Sequence, residues 1–74
     1  MSTLAEQRHN KNLSQRQLAK LVGISPGMIA LIELGYRKPS LPVAFKIANS
    51  LDTTVDELFP QFKDTTNEKK PAGV

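Results

Sequence analysis

Residues 14–40 read SQRQLAKLVGISPGMIALIELGYRKPS, and the punctuation of this stretch decides the fold. Ser14 stands three residues before Gln17, the spacing at which a side-chain oxygen caps the free backbone N–H groups of a new helix and the later side chain returns the bond. Ser25 precedes a proline-led apolar run and marks a second start. Gly23 and Gly35 close the two segments, because glycine enters the left-handed conformation without a Cβ penalty. The stretch predicts a helix over 15–22, a tight turn, and a helix over 26–34.

Side-chain spacing then assigns faces. Leu13 with Leu18, and Ile24 with Ile29, have the spacing of hydrophobic staples at the two helix starts. In the first helix Leu18, Leu21 and Val22 fall on one face, with Gln15, Arg16 and Lys20 outside it. Ala19 is small where a crossing helix comes closest, and Gly23 removes a side chain from the turn, both of which favour close approach. In the second helix Ile29 and Ile32 face the core. Gly27, Ala30, Leu31 and Leu34 form the opposite face, which carries no polar side chain.

Working outward, Thr3 and Glu6 have capping-box spacing, so a helix starts at Ser2 or Thr3 and runs to about His9 or Lys11. Its apolar face is thin, only Leu4 and Ala5, and His9 reads as a solvated surface residue. Asn10 and Asn12 tolerate the left-handed conformation and let the chain turn before Leu13. After the basic loop 36–39, Ser40 caps a helix with Pro42 in its first turn. That helix runs to about Leu51 on the stripe Leu41, Ala44, Ile47, Ala48 and Leu51. Thr54 and Glu57 repeat the capping-box spacing, predicting a short helix over 55–59 ended by Pro60. From Lys63 the chain turns polar with nothing to bury, so the sequence divides into a domain over 1–62 and a disordered tail over 63–74.

Composition bounds the function. Seventy-four residues make one domain, and a domain near 60 residues buries only about 60% of the surface its unfolded chain exposes. With no cysteine and one histidine, neither a disulfide framework nor a metal site is expected, and the core must be aliphatic packing alone. No apolar run approaches a membrane span and the start of the chain lacks a basic-then-apolar leader, so the expected location is the cytoplasm. No set of catalytic residues stands out. Asp56 and Glu57 read as a helix-start charge pair rather than paired acids, so neither an enzyme nor a cofactor is expected. The net charge of +3 is a mild excess. Its distribution says more: Lys11, Arg16, Lys20, Arg37 and Lys38 lie in or beside the central stretch, while Asp52, Asp56 and Glu57 follow it.

With five helices placed this way, residues 4–59 resemble the Cro/C1-type, lambda-repressor-like helix-turn-helix family. The resemblance rests on Arg8, Leu13 to Gln15, Leu18 and Ala19, Val22 to Ser25, Ile29, Ile32, Glu33 and Gly35. It continues through Pro39 to Leu41, Ala44, Ile47, Ala48, Leu51 and Glu57 to Phe59. It implies an all-α, compact five-helix bundle that binds double-stranded DNA as a two-fold homodimer and regulates transcription, usually as a repressor. In that family the second helix of the motif enters the major groove and the first crosses the backbone. The matching phosphate contacts here are Gln15, Arg16, Tyr36, Arg37, Lys38 and Ser40, and the matching ion pair joins Arg8 to Glu33, tying the helix that starts at Ser2 or Thr3 to the helix over 26–34.

Two departures stand out. Base-reading positions in relatives commonly carry Gln, Asn, Ser or Arg, whereas the matching residues here are Pro26, Gly27, Ala30 and Leu31, which offer no bidentate bond. Three readings stay open: apolar contact with thymine methyl groups together with DNA shape, base contacts from Arg37 or Lys38 reaching back, or a face covered by a protein partner. The last would suit an interaction module such as the antitoxin of a toxin-antitoxin pair. Gln7 stands where relatives place an apolar residue, which predicts that the helix starting at Ser2 or Thr3 is weakly anchored and frays. Leu58, Phe59 and Phe62 are the apolar candidates for a dimer contact, with packing on their own domain as the alternative.

Overall fold

The computed structural model describes residues 3–62, and the tail expected over 63–74 lies outside them. Within them the chain is all-helical: α1 spans Leu4–Asn10, α2 Gln15–Val22, α3 Pro26–Leu34, α4 Leu41–Ser50 and α5 Val55–Leu58, followed by a 3-10 turn over Pro60–Phe62. No strand occurs among the described residues.

Capping chemistry sets the boundaries. Thr3 and Glu6 close a full capping box on α1, and Ser14 and Gln17 close one on α2. Ser25 and Ser40 accept from the backbone N–H groups of Met28 and Val43, each ahead of a proline in the first turn. At α5 the Thr54 hydroxyl accepts from the Glu57 N–H, which is the Thr54 half of the expected box. That helix is one residue shorter than the pattern predicts. Phe59 leaves helical geometry ahead of Pro60, whose ring cannot follow a helical residue comfortably.

Leu18, Ile29, Ile47 and Leu51 are the largest fully buried side chains, with Ala19, Val22, Ile32, Ala44, Ala48, Val55, Leu58 and Phe59 packed around them. Leu13 and Ile24, the outer members of the two staples, pack half-buried against this core. On α2 the expected face is corrected. Leu21 is 61% exposed and Ala19 is buried. At 100° per residue, Leu18, Val22 and Ala19 span an arc of about 100°, and Leu21 falls outside it.

Glycine roles are also sharpened. Gly23 has φ of +87° and Gly35 of +84°, and a Cβ at either would meet nothing within 4 Å. Backbone conformation therefore requires these glycines, and close packing at Gly23 does not. Asn12 turns the chain at φ of +59°, and Asp52 does the same at +56°. Between α2 and α3 the chain bends through 108°, within the range of a helix-turn-helix pair. No single helix among the described residues is long and apolar enough to cross a membrane.

Candidate nucleic-acid interface

What orients α3 is a buried charge. Glu33 lies on its inner side, with the side chain only 8% exposed. Arg8 of α1 donates from Nε to Glu33 Oε2 at 2.6 Å and from Nη2 to Oε1 at 3.3 Å. Its Nη1 donates to the Leu13 carbonyl at 2.8 Å. The Gln15 side-chain amide donates to Glu33 Oε1 at 2.9 Å. One carboxylate thus ties the first three helices together. Burial pushes the Glu33 carboxyl up, but the bonds from Arg8 and Gln15 and the nearby positive charge outweigh it and hold the group below its ordinary value. Arg8 also completes α1, whose inner face is Leu4 and Arg8, four residues apart and both buried. The apolar pattern alone missed this, since a guanidinium does not register as a core residue.

The opposite side of α3 is apolar and open. Pro26 and Gly27 are exposed, Ala30 is half-buried, Leu31 is 36% exposed and Leu34 67%. Arg16 and Lys20 on α2 and Arg37 and Lys38 after α3 are exposed. No side-chain hydrogen bond or ion pair engages these four among the described residues. Tyr36 is exposed beside them, and its N–H donates to the Leu31 carbonyl at 2.9 Å as the chain leaves α3. Ser40 is exposed, with its hydroxyl accepting from the Val43 N–H at 3.4 Å. Between residues 14 and 40 the only acidic side chain is Glu33, already paired on the inner side, while Glu57 of α5 lines the groove beside Arg37 and Lys38.

Lys11 does not belong to that charge cluster. It donates to Asp52 Oδ2 at 2.7 Å, linking the α1–α2 and α4–α5 turns. Asp52 is held below its ordinary pKa by the Lys11 hydrogen bond and charge. Two turns so distant in sequence leave no local signal of their pairing. The dimer candidates fall differently from one another. Leu58 and Phe59 are buried in the domain's own core, while Phe62 is half-buried with its ring edge-on to Phe59 at 6.3 Å. Leu58 and Phe59 also line a shallow groove of about 460 Å³ beside Leu4, Pro39, Arg37 and Lys38. Two further apolar residues are exposed: Leu21, which the pattern placed on the core face, and Phe45, which it did not single out.

Residues 4–58 match a family profile described as helix-turn-helix. The HTH-type transcriptional regulator AnsR of Bacillus subtilis is 41% identical over 63 residues, covering 85% of this chain and 54% of that protein. The chain thus spans about half the length of that relative. An uncharacterized HTH-type transcriptional regulator of Methanocaldococcus jannaschii is 44% identical over 48 residues, 65% of this chain and 73% of that protein. Among solved structures, the clp gene regulator ClgR of Corynebacterium glutamicum superposes with a TM-score of 0.71 over 95% of this chain and 74% of its own. At 20% identity this is a likeness of fold.

Proposed function

Because the chain belongs to the Cro/C1-type helix-turn-helix family, a family of DNA-binding transcriptional regulators and not of enzymes, we propose that it is a sequence-specific repressor acting on double-stranded DNA in the cytoplasm. The observation that carries the reading is the α2–α3 pair itself: Arg16 and Lys20 on α2 and Arg37 and Lys38 just after α3 are exposed and have no ion-pair partner among the described residues, and the one acid of α3 is neutralised on its inner side. On this reading α3 enters the major groove and α2 lies across the sugar-phosphate backbone. Arg16, Tyr36, Arg37, Lys38 and the start of α4 at Ser40 take phosphates. Gln15 spends one amide hydrogen on Glu33 and keeps the second for a phosphate oxygen. These contacts position the protein and supply affinity without reading sequence. Repression needs only occupancy, since a protein seated on promoter DNA excludes others from it.

Two copies related by a two-fold axis would present their α3 helices about 34 Å apart, one turn of DNA. Phe62 and the groove beside Leu58 and Phe59 supply the apolar surface for that contact. A second reading, an interaction module such as an antitoxin that still binds its own promoter, is favoured by the apolar side chains exposed at Leu21, Leu34 and Phe45. Co-purification with the product of an adjacent gene would support it.

The experiment is a salt titration on duplex DNA. Affinity falls steeply with salt, and Arg37→Ala reduces the slope by about one unit for each bound copy. Absence of binding to any duplex at low salt contradicts the proposal.

A further inference from the structure

Ser25 at the α2–α3 junction, Gln17 in the first turn of α2 and Glu33 in the last turn of α3 each hold bonds within the domain. The Ser25 hydroxyl accepts from the Met28 N–H at 3.1 Å, Gln17 Oε1 accepts from the Ser14 N–H at 2.8 Å, and Glu33 is held by Arg8 and Gln15. Pro26, Gly27, Ala30 and Leu31, which present α3 to its target, have no side-chain donor or acceptor. An apolar face on a chain segment whose cations Arg16, Lys20, Arg37 and Lys38 are exposed suits a polyanion with apolar points on its surface. Among the base edges of the major groove, the apolar point is the C5-methyl group of thymine.

Gly27 adds a second observation. Its φ is not in the left-handed region, and a Cβ there would meet only the Ser25 hydroxyl at 3.9 Å, an ordinary contact. The fold does not require glycine here, and glycine stabilises a helix less than alanine does. Leaving out that side chain lets the start of α3 come closer to whatever lies outside it.

Resting on the placement of α3 in the major groove, we infer that this protein reads its DNA through thymine C5-methyl groups. Ala30 and Leu31 pack against the methyls, and Gly27 admits the helix backbone close to the base-pair edges. Specificity then comes from the positions of methyl groups within the site, while Arg16, Lys20, Arg37 and Lys38 hold the register.

The test uses the full chain and a duplex recovered from a random-sequence library, with each thymine replaced in turn by deoxyuridine, which deletes the methyl and keeps the base pair. Affinity falls by about fourfold at each contacted methyl, the value of one buried methylene. At those positions 5-methylcytosine paired with guanine binds more tightly than unmethylated cytosine by a similar factor. Leu31→Ala brings the thymine-to-deoxyuridine ratio toward one, and Gly27→Ala raises the melting temperature while weakening binding. The deoxyuridine series on the unaltered protein stands whether or not either variant folds. Tight binding that is indifferent to deoxyuridine overturns the inference and leaves DNA binding intact. A ratio that Leu31→Ala leaves unchanged at every sensitive thymine also overturns it, in favour of DNA shape. Failure to recover any duplex at low salt removes the functional reading beneath it as well.

Discussion

The two central helices are oriented by different means. In α2 the inner side is Leu18, Ala19 and Val22 and the outer side is Arg16, Gln17 and Lys20, with Leu21 the one apolar residue left in solvent. In α3 apolar residues lie on both sides, and its only charge, Glu33, sits on the buried side. An amphipathic helix is turned by the contrast between its faces, and α3 offers little such contrast. Its rotation is fixed by Ile29 and Ile32 in the core and by the Arg8–Glu33–Gln15 bonds. One helix is placed by its own pattern, and the other by its partners.

The largest way to break this difference is to remove Glu33. Glu33→Ala strands the Arg8 guanidinium in a buried site, and the expected loss is about 3 to 5 kcal/mol in urea unfolding. That is a large share of a stability on the order of 4 to 11 kcal/mol for a chain of this length. A loss below about 1 kcal/mol would mean that α3 is held by apolar packing alone. The same group gives a pH signature. Its folded pKa is depressed below the ordinary 4.5, so its stabilisation is complete above that ordinary value and is lost as pH falls through the lower folded value. Glu33→Gln, measured across that acid range, lacks this component of the pH dependence.

A smaller effect sharpens the α2 side. Leu18→Ala should cost about 2 to 5 kcal/mol, whereas Leu21→Ala, at a position 61% exposed, should stay within about 0.5 kcal/mol. Equal costs would put Leu21 back on the core face. The smallest compares the two helix starts. Ser14→Ala and Ser25→Ala each cost about 1 kcal/mol, with Ser14 the larger because its cap is reciprocated by Gln17 and that of Ser25 has no such return. The reverse order would show that the Gln17 bond adds nothing.

The same contrast explains how much could be read in advance. Bounds of α2 and α3 follow from serine starts and glycine stops, because capping is chemistry between residues three or four apart. The face of α2 was legible except at Leu21, where hydrophobicity argued for burial and helical angle decided against it. The buried role of Arg8, by contrast, entered through family resemblance, since no local pattern marks an arginine as part of a core. The Lys11–Asp52 pair and the burial of Leu58 and Phe59 depend on how turns and helices distant in sequence come together, and spacing carries no record of that. At the candidate interface the basic residues and the apolar α3 face could be read from the sequence. That Gln15 is already bonded to Glu33 could not.

The most direct test of the central claim, that the α2–α3 pair and the loop after it form the DNA-binding face, is an amide NMR titration with duplex DNA at low salt. Amide signals from residues 15–20, 27–31, 36–38 and 40 are expected to shift or broaden first, while those of α5 and the turn after it change little. Perturbations centred on residues 55–62, with α3 unaffected, would contradict it.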